Sequence, residues 1–321
     1  MTPVSTPPSA LTVGDLRGNP RRVRVDAAMR VLLFVAAALS IVISAAIVWT
    51  LFREAWTFLH GMVDQLGWGG LLDHGDVPSW DPRRDRFDLL TILLGTVIVS
   101  LVAMVVAAPL GLGSAVYLAE YASPRARRWL KPTLEVLAGI PSVVFGFFAL
   151  RLLGPDIVQP LFGTPQATSL LVTGVAVGLL VTPLMASVSE DALRAVPRSM
   201  REASTGLGAR RSTTTIKVVL PAAVSGIVAA LIISISRAIG ETMVAALASG
   251  RLGSAPRVLD PREPGLTMTA SMAQLAQGSD QMVGSGLAFQ SLFLVGAVLF
   301  VMTFLLNVAA GRIVRRVRTQ Y

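Results

Sequence analysis

Long apolar runs recur along the chain, and they constrain its fold more than any other feature. A run of about 20 apolar residues is long enough to cross the hydrocarbon core of a bilayer as a helix. Inside a bilayer all backbone polar groups must be satisfied internally, so only helices and closed barrels can span it. The chain has six such runs, at residues 31–52, 90–119, 134–153, 170–188, 222–248 and 287–310. The sequence therefore predicts an all-α membrane protein with six transmembrane helices.

The composition and the placement of charge support a membrane protein. Of 321 residues, 53% are hydrophobic and 15% are charged, whereas soluble domains are about a quarter charged. A net charge of +9 is also typical of nucleic-acid-binding proteins. Most Lys and Arg, however, flank particular runs: before the first, after the second, between the fourth and fifth, and after the sixth. Basic loops stay in the cytoplasm, so we expect a multi-pass protein of the cell (plasma) membrane, with both termini cytoplasmic and no nucleic acid partner.

These observations predict the organisation of the chain. The first 28 residues are rich in Pro, Ser, Thr and Arg and read as a disordered cytoplasmic tail. The predicted segments that follow are a first transmembrane helix at 29–53, an external loop at 54–89, a five-helix core at 90–310 that contains a loop at 190–221, and a cytoplasmic tail at 311–321.

The loop between the fourth and fifth runs has a distinctive order of residues. Glu202-Ala203-Ser204 is followed after three residues by Gly208, and after nine more by Val218-Val219-Leu220-Pro221. We expect a short amphipathic helix from about 197 to 205 that stops at a glycine, since Gly tolerates the positive φ of a helix C-terminus. Pro221 suits the first turn of the next helix, where it needs no backbone N–H donor. With this shape the loop would project from the membrane as a docking surface for another protein.

This order resembles the EAA loop of the membrane subunits of ABC importers, with Ser204 in place of the third alanine. The resemblance implies that the loop couples the permease to an ATPase through Glu202, Ala203, Ser204, Gly208, Leu220 and Pro221. The two lysines of the chain follow Leu130 and Ile216, so it has no Gly-Lys of a phosphate-binding P-loop. ATP and Mg would therefore be bound by a partner subunit, and we expect no catalytic residue, metal site or cofactor in this chain.

The fifth run carries charged residues inside an apolar segment. Read as one helix, it places Ser234, Arg237 and Glu241 on a single face. A charge at mid-membrane costs about 2.5–3.5 kcal/mol, and residues at i and i+4 can pair. The planar fork of an arginine matches phosphate oxygens, so Arg237 is predicted to line the path of an anion while Glu241 holds the guanidinium. Ser234 and Ser142 are further pathway candidates. A structural ion pair that fixes this helix to its neighbour is the alternative.

Several longer stretches resemble the permeases of phosphate-specific ABC importers, more the PstC type than its sister PstA. They lie at residues 95–124, 134–150, 236–243, 266–270 and 291–316. The resemblance implies a type I ABC importer permease fold and the charged pair Arg237 and Glu241 of the SRAIGETM-like segment. It also implies four partner chains: a PstA-like sister permease, two copies of a PstB-like ATP-binding subunit and a PstS-like phosphate-binding protein. Import of inorganic phosphate is the implied function, with sulfate or molybdate import as the alternative.

Two other classes compete with a transporter. A polytopic membrane enzyme would need a catalytic constellation, but the chain contains no HExxH or GxSxG motif and no cysteine. An uncoupled channel or scaffold has no need of a docking loop. The sequence therefore favours a non-catalytic transporter subunit.

Overall fold

The computed structural model describes residues 20–67, 71, 78–251, 254–277 and 286–317. The chain divides at Leu51 into two units. The described part of the first unit is the beginning of α1, a helix that runs from Pro20 to Leu66. Its apolar side chains, among them Phe34 and Trp49, are exposed, as expected of a helix surrounded by lipid.

Helix α1 is longer at both ends than the predicted span at 29–53. It begins at Pro20, a residue that is accepted in the first turn of a helix. Residues 20–28 of the predicted tail are therefore helical. Residues 1–19 lie outside the described residues. At its other end α1 enters the predicted external loop, because Phe58 and Met62, one helical turn apart, are fully buried in the second unit.

The second unit is helical apart from one small sheet. Its helices are α2 (Leu89–Val116), α3 (Pro124–Ala138), α4 (Ser142–Phe148), α5 (Gln159–Phe162), α6 (Leu170–Ala195), α7 (Arg198–Gly206), α8 (Arg211–Thr214), α9 (Leu220–Ile239), α10 (Met243–Ala248), α11 (Met268–Ala276) and α12 (Leu287–Val317). Three π-helical stretches join some of them, at Tyr117–Tyr121, Ala149–Val158 and Thr215–Val219. Helix α12 extends into the predicted tail at 311–321.

Six helical runs of the described chain are long and apolar enough to cross a membrane, which confirms the predicted fold class. They are Arg24–Gln65, Leu89–Tyr121, Ser142–Phe162, Leu170–Ala195, Arg211–Ile239 and Leu287–Val314. The third begins later than the predicted Leu134, because the chain leaves the helix between Ala138 and Ser142. Pro141 causes the break, since a proline disfavours helical geometry in the residue before it.

The core of the second unit lies where α2 packs against α6. Gly174 and Gly178 of α6 face α2 so closely that a Cβ on Gly178 would lie 2.7 Å from the carbonyl oxygen of Ala103. Small residues four apart let membrane helices approach in this way. The close approach of α6 to α2 therefore depends on this glycine pair.

The sheet lies at the N-terminal end of α2. Strand β1 (Ser79–Asp81) is central and pairs antiparallel with β2 (Arg86–Phe87) and β3 (Ala255–Pro256). Beneath it the rings of Phe58 and Phe87 meet edge to face, with centroids 5.1 Å apart. The buried carboxylate of Asp88 accepts hydrogen bonds from Arg257 (2.8 Å) and from the Thr91 hydroxyl (2.6 Å). The predicted external loop at 54–89 is thus partly helix and partly sheet.

A charge cluster ties α3 to the C-terminal part of α6. The fully buried Glu190 lies 2.6 Å from the Arg127 guanidinium and 3.3 Å from Lys131 Nζ. Lys131 also donates a hydrogen bond of 2.9 Å to Asp191. That bond, helped by the negative charge of Glu190, raises the pKa of Lys131 above its usual value. The cluster keeps α3 next to the end of α6, which only Val196 and Pro197 separate from α7.

Candidate functional site

The predicted coupling loop forms a short helix that ends at glycines. Helix α7 follows Pro197 and ends at Gly206. Gly208 then adopts a φ of +80°, and its N–H donates to the Thr205 carbonyl at 2.9 Å. Glycine adopts this left-handed conformation without steric cost, so the predicted helix and its predicted stop are both confirmed.

The outer face of α7 is free within the described part of the chain. Glu202 and Ala203 are exposed, and Leu207, just past the helix, is 90% exposed. Ser204 lies on the inner side, where its hydroxyl is 2.9 Å from that of Thr214. The exposed side therefore combines a carboxylate with an apolar tip, which suits a docking surface for another protein.

The inner face of α7 is held by charged contacts that the sequence reasoning missed. Arg201 donates to the Glu120 carboxylate, with Nη2 3.0 Å and Nε 3.2 Å from Oε1. Arg211 donates to the backbone carbonyl of Glu120 and lies over the ring of Tyr121. The available signal was a single acid, Glu120, at the end of an apolar run that precedes a basic loop.

Leu220 and Pro221 occupy the start of α9 as predicted, but no break precedes them. A single helical run extends from Arg211 to Ile239, with a π-helical stretch at Thr215–Val219 immediately before α9. A proline removes one helical hydrogen bond and crowds the preceding turn, and the wider π turn accommodates it there. Leu220 packs against a cluster of buried side chains that includes Leu193 and Val219.

The fifth span is broken where the sequence predicted a continuous helix through Ala248. Helix α9 ends at Ile239, and α10 begins at Met243. The carboxylate of Glu241 accepts a hydrogen bond from the Val244 N–H at 3.4 Å, and the backbone carbonyl of Glu241 accepts one from the Thr269 hydroxyl at 2.8 Å. The break is therefore held by Glu241 and by α11.

This break overturns the predicted pairing of Arg237 with Glu241. The pairing assumed one helix through both residues, whereas Glu241 lies beyond the end of α9, is buried and caps α10. Arg237 is exposed, and within the described residues it forms no ion pair with a carboxylate. Its guanidinium is thus available for an anion or for another chain.

The two serine candidates lie in different surroundings. Ser234 is fully buried, and its hydroxyl lies 3.6 Å from the Met185 sulfur of α6. Ser142 is the half-buried first residue of α4. Gly146, one turn further along α4, meets the backbone of Met243 and Val244 so closely that a Cβ there would lie 3.1–3.2 Å away. The structure thus brings α4, which Ser142 begins, next to α10, and it packs Ser234 between helices.

Comparison with known proteins identifies the family of the chain. Residues 107–319 match the family described as binding-protein-dependent transport system inner membrane component. The phosphate transport system permease protein PstC of Mesorhizobium japonicum is 30% identical over 88% of this chain and 88% of its own length. PstC 1 of Mycobacterium tuberculosis is 33% identical over 74% of this chain and 75% of its own.

Solved structures of other ABC transporters share the fold. A bacterial transporter that imports the acidic polysaccharide alginate matches 92% of this chain and 99% of its own at a TM-score of 0.57 and 14% identity. The inward-facing MetNI methionine transporter matches 71% and 94% at a TM-score of 0.51 and 20% identity. The predicted ABC importer permease fold is therefore confirmed. The chain is a PstC-like member of the family of binding-protein-dependent transport system inner membrane components.

Proposed function

We propose that this chain is a transmembrane permease subunit of an ATP-driven importer of inorganic phosphate. The observation that carries the proposal is the likeness to PstC of Mesorhizobium japonicum, which extends over 88% of both chains. A PstA-like sister permease completes the translocation path. Two PstB-like subunits bind ATP and Mg, and a PstS-like protein delivers phosphate. The chain itself catalyses no reaction, and both of its termini lie in the cytoplasm.

The coupling residues of this proposal lie on α7 and at the start of α9. Exposed Glu202, Ala203 and Leu207 form the surface that meets an ATP-binding subunit. Ser204 and Gly208 fix the shape of that surface, the first through Thr214 and the second through its positive φ. Leu220 and Pro221 join it to the fifth span.

Arg237 is the proposed contact for phosphate on the translocation path. It is exposed and without a carboxylate partner in the described part of the chain. An arginine fork can donate two parallel hydrogen bonds to phosphate oxygens. Glu241 serves the path indirectly by shaping the break beside α10. Helix α4, which Ser142 begins, packs against α10, and Ser234 lies between α9 and α6.

Uptake of labelled phosphate by cells that carry the whole transporter tests the proposal. Arg237→Met should lower the rate about tenfold or more, because a hydrogen bond to a charged group contributes about 1.5–3 kcal/mol. Arg237→Lys should retain part of the rate, since it keeps the charge without the fork. Arg151→Met is the matched control, an exposed arginine of the third span that stacks on Phe147, and it should leave uptake near the wild-type rate.

The same cells separate phosphate from the alternative anions. Excess unlabelled phosphate should compete with uptake, and sulfate or molybdate in equal excess should not. If sulfate or molybdate competes and phosphate does not, the substrate is that anion and not phosphate. Normal uptake by Arg237→Met would show that Arg237 does not contact phosphate on the translocation path.

A further inference from the structure

Glu120 lies where the second span meets the coupling helix. It belongs to the π-helical turn Tyr117–Tyr121 that ends this span, and it is only 8% exposed. Its Oε1 accepts two hydrogen bonds from Arg201, from Nε at 3.2 Å and from Nη2 at 3.0 Å. Hydrogen bonds between ionised partners are about twice as strong as neutral ones. Helix α7 is therefore fastened to the second span by a largely buried charge pair.

The same arginine also reaches the end of α6. Arg201 donates to the backbone carbonyls of Val196 (2.5 Å) and Leu193 (2.7 Å). Carbonyls in the last turn of a helix lack a partner within the helix, and Arg201 supplies one. One guanidinium on α7 thus joins the ends of the second and fourth spans.

Glu120 makes a separate contact with the start of the fifth span. Arg211, the first residue of that helical run, donates to the Glu120 backbone carbonyl. Its guanidinium lies 5.2 Å from the centre of the Tyr121 ring, a distance at which a cation is attracted to the face of an aromatic ring. The side chain of Glu120 therefore holds α7, and its carbonyl holds the segment that leads into α9.

The chain itself provides a second connection, from α7 to the segment that leads into α9. It passes through the turn at Gly208, whose φ is +80°, and around which a Cβ would meet no other atom within 4 Å. Across this turn the hydroxyls of Ser204 and Thr214 form a neutral contact of 2.9 Å. The contacts of Glu120 with Arg201 join charged groups, and such hydrogen bonds are about twice as strong as neutral ones, so they hold α7 more firmly than the hydroxyl contact does.

We propose that Glu120 is the positioning residue through which a movement of α7 is passed to the second span. The inference rests on the proposed function in one respect, which is that a partner ATPase displaces α7. The second span packs along α6, so a displacement at Glu120 moves the core of the permease directly. Arg201 is the partner of Glu120 on α7. The contact of Arg211 with the Glu120 carbonyl passes the same movement to the fifth span.

The first readout is the number of anions transported per ATP hydrolysed by the reconstituted complex. Glu120→Gln removes the charge at nearly constant volume, and Glu120→Ala removes the contact. Both should lower this ratio at least about fivefold, the lower end of typical coupling between two sites, while hydrolysis of ATP continues. Arg201→Met should lower the ratio at least as much, because it also removes the bonds to Val196 and Leu193, and the double variant should be no worse than Arg201→Met alone.

Asp191→Asn is the matched control. It weakens the 2.9 Å contact between Lys131 and Asp191, which lies at the same end of α6 but does not touch α7. Its transport ratio should equal that of the wild type. An unchanged ratio in Glu120→Gln would overturn the proposal, as would an equal loss in Asp191→Asn.

The second readout distinguishes a rigid link from a general loss of structure. The chain contains no cysteine, so spin labels can be placed at Ser199→Cys of α7 and at Tyr117→Cys, both exposed positions, with cysteine-free partners. In the otherwise wild-type complex the distance between the labels should be narrow and unchanged when the ATP-bound state is trapped with vanadate. In Glu120→Ala, or in Glu120→Gln if the alanine variant does not assemble, it should broaden or shift on trapping.

A shift of the wild-type distance as large as that of the variant would overturn the proposal. The distance is measured without regard to the anion carried. If sulfate rather than phosphate proves to be the substrate, the proposed function fails, and the test of Glu120 still gives its answer.

Discussion

Gly208 sets the shape of the coupling loop through its backbone alone. Its φ is +80°, and a Cβ at this position would meet no neighbouring atom. A side chain there is limited by backbone conformation and not by space. Left-handed geometry costs an L-residue about 1–2 kcal/mol, and Asn is among the few residues that visit it routinely.

We therefore predict opposite outcomes for two substitutions at Gly208. Gly208→Val should lower phosphate uptake while ATP hydrolysis persists, because a β-branched residue forces the turn away from α7. Gly208→Asn should keep uptake near the wild-type rate although its side chain is of similar size. Both rates are measured in proteoliposomes of the whole complex. Equal activity of the two variants would mean that the left-handed turn is not required.

Single residues also mark the limit of what the sequence predicts. The glycine stop of α7 follows from local backbone preference, and the sequence predicted it at Gly206 or Gly208; the helix ends at Gly206, and Gly208 takes the positive φ. The pairing of Arg237 with Glu241 was wrong, because a helical wheel assumes an unbroken helix. Glu241 instead caps α10 and is fixed by Thr269 from α11. Long-range contacts of this kind leave no periodic signal in the sequence.

At the scale of helices, the packing of α6 on α2 depends on glycines that admit close approach. A Cβ on Gly178 would lie 2.7 Å from the Ala103 carbonyl oxygen, whereas a Cβ on Gly113 of α2 would meet no atom within 4 Å. The two positions thus form a matched pair in apolar helices. They differ in the space around them.

Gly178→Ala should lower the midpoint of thermal unfolding in detergent, since the two helices must separate to accept the methyl group. Gly113→Ala should leave the midpoint unchanged or raise it, because alanine is favoured over glycine by about 1 kcal/mol in a helix interior. A fall of the same size in both variants would show that the close approach of α6 to α2 does not govern stability.

The helices also show why their existence was predictable and their interruptions were not. Apolar length gave all six spans, because the bilayer requires it. The end of α9 at Ile239 lies inside an apolar stretch without a proline, so no local signal marks it, whereas Pro141 marks the break before α4. The π-helical stretches before Pro221 and around Pro155 likewise depend on how the backbone accommodates a proline. The sheet beside α2 was missed because its strands are only two or three residues long.

For the whole molecule, the account predicts which ends of the spans face the cytoplasm. The sheet precedes α2, and Glu120 at the other end of that span contacts α7, so the sheet and the coupling helix belong on opposite sides of the membrane. A chain without native cysteine allows a direct test. Ser199→Cys of α7, an exposed position, should react with a membrane-impermeant maleimide only from the cytoplasmic side, and Arg84→Cys only from outside. The reverse pattern would invert the proposed topology.

The central claim is that this permease serves a phosphate importer driven by a separate ATPase. The most direct measurement is ATP hydrolysis by the complete complex in proteoliposomes, with its binding protein loaded with phosphate or with sulfate. Phosphate-loaded binding protein should stimulate hydrolysis, sulfate-loaded binding protein should not, and Arg237→Lys should weaken the stimulation. Stimulation by sulfate and not by phosphate would contradict the claim.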